Sequence, residues 1–284
     1  MVVLLSLCAA VAYGLSDFIG GVASRRVSPW TIALVSQLGG GLVVLALGLL
    51  GDGDPRREDL GWALVAGFGN GLGTAFLYRG LSAGRMGVVA PVSGVGAALV
   101  PIVVGLGSGE RPGLRAFLGI TAALPAIWLV AREPGAVAAA APVGRSGRVP
   151  AGLVDGVLAG AGFGMLFAAL AQIPEESGFL PLALNQVVGA VVVMVVATAF
   201  SQPWVPREPT AYVGLVSGSL GASATGLFLV ATQTGFLTIA AVITSLYPAF
   251  TVLLAAALLR ERIHRTQGLG LALCALAVGL IAAA

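Results

Sequence analysis

Gly84-Arg85-Met86-Gly87-Val88-Val89 is answered 151 positions later by Gly235-Phe236-Leu237-Thr238-Ile239-Ala240. Working outward, the same offset lays Glu110-Arg111 on Glu261-Arg262, Gly119 on Gly270, Pro55-Arg56 on Pro206-Arg207 and Leu64-Val65 on Leu215-Val216. The chain is written twice. Each copy is a series of apolar stretches about as long as a bilayer is thick. A doubled set of membrane helices is the pattern of secondary carriers whose site lies between the copies.

Composition supports that class. Hydrophobic residues make up 58% of the 284 residues and charged ones only 10%. Soluble domains carry roughly 25% charge, so the chain reads as an integral membrane protein. A spanning helix needs about 20 mostly apolar residues, and such stretches use almost the whole length. No room is left for a soluble catalytic domain. The 42 glycines fit close approach of membrane helices. All 15 basic residues are Arg, and Lys is absent. That excludes a Walker A loop and a lysine Schiff base. The arginines sit mostly between apolar stretches, which speaks for orientation and headgroup contact, not nucleic acid. Cys8 and Cys274 lie in apolar sequence and read as small apolar residues. The first stretch has no basic residues before it and is expected to be a membrane helix, not a cleaved signal peptide.

Ten stretches can be drawn: 2–23, 29–50, 60–80, 86–107, 113–131, 151–171, 179–200, 211–231, 238–259 and 267–284. The expected fold is all-α, a polytopic protein of ten transmembrane helices arranged as two five-helix repeats. The copies are 1–131 and 151–284, joined by a linker at 132–150. Five is odd, so tandem copies enter the bilayer in opposite senses and form an inverted repeat. Connections after odd-numbered stretches carry 11 arginines, those after the second and fourth only 4. Taken alone, this bias places both termini outside the cell.

The second copy reads Pro248, Glu261, Gln267, Gly270 and Gly279, and the first Pro91, Glu110 and Gly119. Over nearly its whole length the chain resembles two tandem EamA-like domains of the drug/metabolite transporter superfamily. The first copy departs from the pattern at Ala116 and Trp128. The resemblance implies a cavity lined by helices 1, 3, 4, 6, 8 and 9 and efflux or exchange of small organic molecules. It also implies cytoplasmic termini, against the arginine bias.

Asp17 lies well inside the first stretch. A carboxylate at the centre of a membrane helix costs roughly 2.5–3.5 kcal/mol or more, so it should face the interior. It either couples a proton or contacts a cationic group on the substrate, or it pairs with Arg79 at the matching end of the third stretch. Tyr13 shares its helical face. Asn70, Thr74 and Tyr78 form a polar stripe on the third helix, and Thr225 is the repeat mate of Thr74. Thr244, Ser245 and Tyr247 adjoin Pro248, which can kink the ninth helix. The expected substrate-binding set is Tyr13, Asp17, Asn70, Thr74, Tyr78, Thr225, Thr244 and Tyr247, against helix–helix hydrogen bonding as the alternative.

Gln37 and Asn185-Gln186 occupy matching places in the second and seventh helices, to gate or to bond. Gly67, Gly69, Gly71 and Gly73 give two overlapping GxxxG spacings, and Gly160-Ala161-Gly162-Phe163-Gly164 invites the same reading of close packing. Pro91 and Pro101 are expected to bend the fourth helix. Glu110 and Glu261 should cap the fifth and tenth helices, and Glu175 and Glu176 should be solvated. One His and no Cys/His cluster give no metal site, and no cofactor is expected. The sequence thus points to a secondary active transporter, an exporter or exchanger of amino acids, amines or drugs, in the inner (plasma) membrane. Its expected partners are a small-molecule substrate and the lipid bilayer, without nucleic acid, and a monomer would hold both copies. A channel would want a continuous polar path and a membrane enzyme a cluster of acids and histidines; the sequence offers neither.

Overall fold

The computed structural model describes residues 1–83, 86–131, 152–258, 260 and 263–284. The 132–150 linker, Glu261 and the Gly84-Arg85 pair lie outside the described residues. In hydrocarbon every backbone N–H and C=O must be satisfied inside its own segment, so the apolar stretches fold as helices. They are α1 (Val2–Ser24), α2 (Pro29–Leu50), α3 (Arg57–Ser82), α4 (Met86–Gly107), α5 (Leu114–Ala131), α6 (Leu153–Leu170), α7 (Leu180–Ala199), α8 (Val213–Gln233), α9 (Leu237–Thr244), α10 (Tyr247–Leu258) and α11 (Arg265–Ala282). Ten spans among the described residues are long and apolar enough to cross a bilayer, with α9 and α10 sharing the ninth.

That ninth stretch departs from the expected continuous helix. Pro248 has no N–H to return to the carbonyl of Thr244. The chain responds with a turn at Ser245-Leu246, where Leu246 N donates to Ile243 O (3.1 Å) and Ala249 N to Leu246 O (2.9 Å). Pro91 and Pro101 are instead carried inside an unbroken α4.

The copies interlock. The most extensive packing of α3 is on α6 and α7, while its repeat mate α8 packs on α1 and α2. α4 lies on α6, and α9 and α10 lie on α1. α2 meets α7 and α5 meets α11 across the pseudo-two-fold axis. Contacts within one copy are sparser.

Glycine makes these approaches possible. A Cβ placed on Gly162 of α6 would lie 2.6 Å from Gly69 O and 2.6 Å from Gly73 N of α3. One on Gly96 of α4 would lie 2.8 Å from the Cα of Gly160. Both Gly-rich stretches therefore work as packing faces. Helices 2 and 7 meet reciprocally: Gln37 rests on Gly189, and Gln186 rests on Gly40.

Among the polar contacts that join the copies, two involve charged side chains at opposite faces. Glu110, expected to cap its own fifth helix, reaches across to the other copy. Its carboxylate accepts from Leu237 N (2.5 Å) and Thr238 N (3.0 Å), so it caps α9 at the end where the dipole favours an anion. The reason is position: the turn after α4 ends beside the start of α9.

At the other face, Arg79 does not pair with Asp17. Its Nε donates to Asp155 Oδ1 of α6 (2.8 Å), and Nη2 reaches the same oxygen. The guanidinium also stacks on Phe76 and Phe200, 4.6 and 5.0 Å from the ring centroids. Asp155 is 6% exposed and Arg79 28%. Arg79→Gln should strand a buried carboxylate. The cost should be about 3 kcal/mol, at the lower end for buried pairs because Arg79 is partly exposed. Thermal unfolding of the Arg79→Gln, Asp155→Asn double variant in detergent should recover most of that loss; a double variant no better than the single one would show that the pair carries little.

Candidate binding cavity

The described helices leave a cavity of about 50 Å³ where they pass the middle of the bundle. A single water needs roughly 10–15 Å³ of such space, so the cavity suits a small solute group. α1 contributes Tyr13, Ser16 and Asp17, and α2 contributes Ser36 and Gln37. From α3 come Asn70, Thr74, Leu77 and Tyr78, and from α8 come Gly218, Gly221, Ala222 and Thr225. Phe163 and Phe167 of α6, Gln186 of α7 and Tyr247 of α10 complete the wall.

Of the residues singled out from sequence, Tyr13, Asp17, Asn70, Thr74, Tyr78, Thr225 and Tyr247 come together here. Thr244 does not. It is fully buried one turn away, and its hydroxyl has no hydrogen-bond partner among the described residues. The break before Tyr247 turns the two residues to different sides. The wall also differs from the expected one. Among the described residues none of α4 lines the cavity, and Gly96 is pressed against Gly160; α2 and α7 take part through their glutamines.

Hydrogen bonds set the shape of the wall. Tyr13 OH and Thr225 Oγ1 are 2.7 Å apart, and Thr225 also donates to Gly221 O (2.8 Å). Asn70 Nδ2 donates to Gln37 Oε1 (3.1 Å) and Gln186 Oε1 (2.8 Å), tying α3 to both members of the α2–α7 crossing. Thr74 Oγ1 donates to Asn70 Oδ1 (3.4 Å). Ser16 Oγ donates to Ser217 O (2.8 Å), and the Tyr78 and Ser217 hydroxyls lie 2.9 Å apart. Gly20 leaves the space that the Tyr78 hydroxyl fills.

Asp17 is different. It takes part in no hydrogen bond or ion pair among the described residues, though Asp59, Asp155 and Glu110 each have a partner. Its repeat mate in α6 is Ala168, so the acid belongs to one copy only.

Packed groups lie on either side of the cavity along the bundle. Toward the face carrying Met1 and Ala284 lies an apolar cluster that includes Ala9, Phe167, Leu182 and Phe228. The Phe167 and Phe228 ring centroids are 4.4 Å apart, and Tyr13 sits 5.9 Å from Phe167. Toward the other face lie the Ser16–Ser217–Tyr78 contact and the Trp30, Phe76 and Phe200 rings.

Sequence reasoning missed Ser16, Phe163 and Phe167. Ser16 adjoins Asp17 and could have been found by taking the neighbours of the acid. The two phenylalanines look no different in sequence from Phe117, which is half exposed on α5.

The model of the EamA-like transporter family matches residues 1–132 and again 150–283. The chain belongs to the EamA-like transporter family. It is a multi-pass membrane protein of the drug/metabolite transporter type, with the two repeats expected of an EamA-like chain. A solved structure titled "Crystal structure of protein" superposes with a TM-score of 0.68 over 98% of this chain and 95% of that one. The two are 17% identical, so the likeness is one of fold. No curated protein matches this chain.

Proposed function

We propose that this EamA-like protein is a secondary active carrier, an exporter or exchanger, of small organic metabolites such as amino acids, amines or drugs. It works by alternating access in the plasma membrane, and Asp17 couples transport to protons. The observation that carries this reading is the position of the cavity: half-way along the helices, walled by both inverted copies, with packed groups on either side of it. In such a protein the two sides open in turn as the interlocked copies rock, and the solute meets either side at one site.

In this reading Tyr13, Asp17, Asn70, Thr74, Tyr78, Thr225 and Tyr247 contact the solute. The polar hydroxyls and amides orient it, and the aromatic rings cover it. The 132–150 segment joins the copies, the termini lie in the cytoplasm, and one chain is the working unit.

The test is a thermal-shift screen of purified protein against a metabolite collection, followed by flux of the hits in proteoliposomes. A carrier gives saturable flux and accelerated exchange when unlabelled solute is present on the far side. Ohmic current without saturation would replace this reading with a channel.

A further inference from the structure

We propose that the solute is a small organic monocation, an amine whose charge sits against Asp17 and whose apolar body lies against Phe163 and Phe167. This rests on the carrier reading above and narrows it from metabolites in general to one charge class.

The first ground is charge. Asp17 is the sole Asp, Glu, Arg or His among the lining residues. The elements packed on α1 bring no cation to it. α2 and α8 carry no Asp, Glu, Arg, His, Tyr or Cys within their helical spans, and α10 brings Tyr247. α3 brings Tyr78, and its Arg79 is held by Asp155. α11 has Arg265 at its first residue, at the bundle end, and Cys274 further along. An ionised carboxylate buried without a partner is costly. The protein supplies a counter-charge to each of its other described buried or cross-copy acids or donates hydrogen bonds to it, and supplies none here. The missing partner is the cargo, or a proton when the cargo is absent. A solute carrying its own carboxylate or phosphate would bring like charge to an acid with no arginine nearby to offset it.

The second ground is the make-up of the wall. α1 gives Tyr13, Ser16 and Asp17, whereas α6, its repeat mate, gives Phe163 and Phe167. The wall thus combines a single acid with polar groups and aromatic rings. The Tyr13 ring lies 6.2 Å from Tyr247 and 5.9 Å from Phe167, so three rings gather in the wall that also holds Asp17. Aromatic faces attract ammonium groups and tolerate an alkyl or aryl body equally. A substituted amine matches both the acid and the rings of this wall; a sugar phosphate matches neither.

The experiment is counterflow in proteoliposomes at pH 7 with two matched series. The aliphatic one is 3-methylbutylamine, leucine and 4-methylpentanoate; the aromatic one is 2-phenylethylamine, phenylalanine and 3-phenylpropionate. Each set keeps the apolar side chain and changes the charge from cation to zwitterion to anion. At least one amine should show a kcat/KM tenfold or more above its zwitterion and anion. Asp17→Asn should erase that preference, and Asp17→Glu should keep part of it. Equal or faster flux of the zwitterion or anion would overturn the cation assignment and leave the carrier reading intact. No saturable counterflow of any of the six would overturn the cation assignment, and ohmic current in the same vesicles would overturn the carrier reading with it. The wild-type comparison stands by itself should either Asp17 variant fail to fold.

Discussion

Proteoliposomes containing an Asp17→Asn protein should show no accumulation in response to a pH gradient, where the wild type concentrates its solute. One proton exchanged for one monovalent cation lets a gradient of one pH unit sustain about a tenfold concentration ratio, since 1.4 kcal/mol is a factor of ten. The amide of Asn fills the same space but takes up no proton in this range, so the ratio should fall to about one. Asp17 lines the cavity, has no resident partner, and has no second acid beside it to take over. Monodispersity and thermal unfolding of the variant in detergent separate loss of coupling from loss of folding. An Asp17→Asn protein that still accumulates solute in step with the gradient would remove Asp17 from the coupling role.

Gly162→Val should yield no monodisperse protein in detergent. The added side chain would point at the backbone of Gly69 and Gly73, and backbone cannot swing aside as a flexible side chain can. α3 and α6 would have to part along their length. Membrane helices are held by close packing without a hydrophobic drive between them, so nothing offsets the loss. Gly162→Ala adds only the first carbon and should cost about 1–3 kcal/mol, the usual range for overpacking. Gly61→Ala is the control, because a Cβ there meets nothing within 4 Å. It should be neutral or slightly stabilising, as Gly is a poor helix residue. Thermal unfolding of the three side by side decides the matter. A Gly162→Val protein as stable as Gly61→Ala would show that this contact is not what holds the copies together.

Much of the fold is legible because one rule governs it: backbone in lipid must satisfy itself, and apolar length then counts the helices. The break before Pro248 is only half legible. The proline announces a lost hydrogen bond, but whether a helix bends or unwinds depends on its neighbours, and α4 carries two prolines without breaking. Much of the cavity follows from the cost of polar groups in lipid, which drives Asp17 and the Asn70–Thr74–Tyr78 stripe inward. The Asp17–Arg79 pairing failed on depth. At 1.5 Å per residue, Asp17 lies about 10 Å before the end of α1 and Arg79 about 4–5 Å before the end of α3. The acid that does meet Arg79 sits near the start of α6, at the same level. The phenylalanine wall was invisible because periodicity cannot tell a side chain facing a cavity from one facing lipid.

The interlocked arrangement has a consequence for how such a protein could have arisen. Because α3 rests on α6 and α8 on α1, neither half owns an interior, and a lone five-helix ancestor would have needed a second copy of itself to become stable. Fusion of two such chains then frees each half to diverge at the shared axis. Asp at position 17 and Ala at 168 accord with that freedom: a symmetric scaffold around a cavity that is not symmetric.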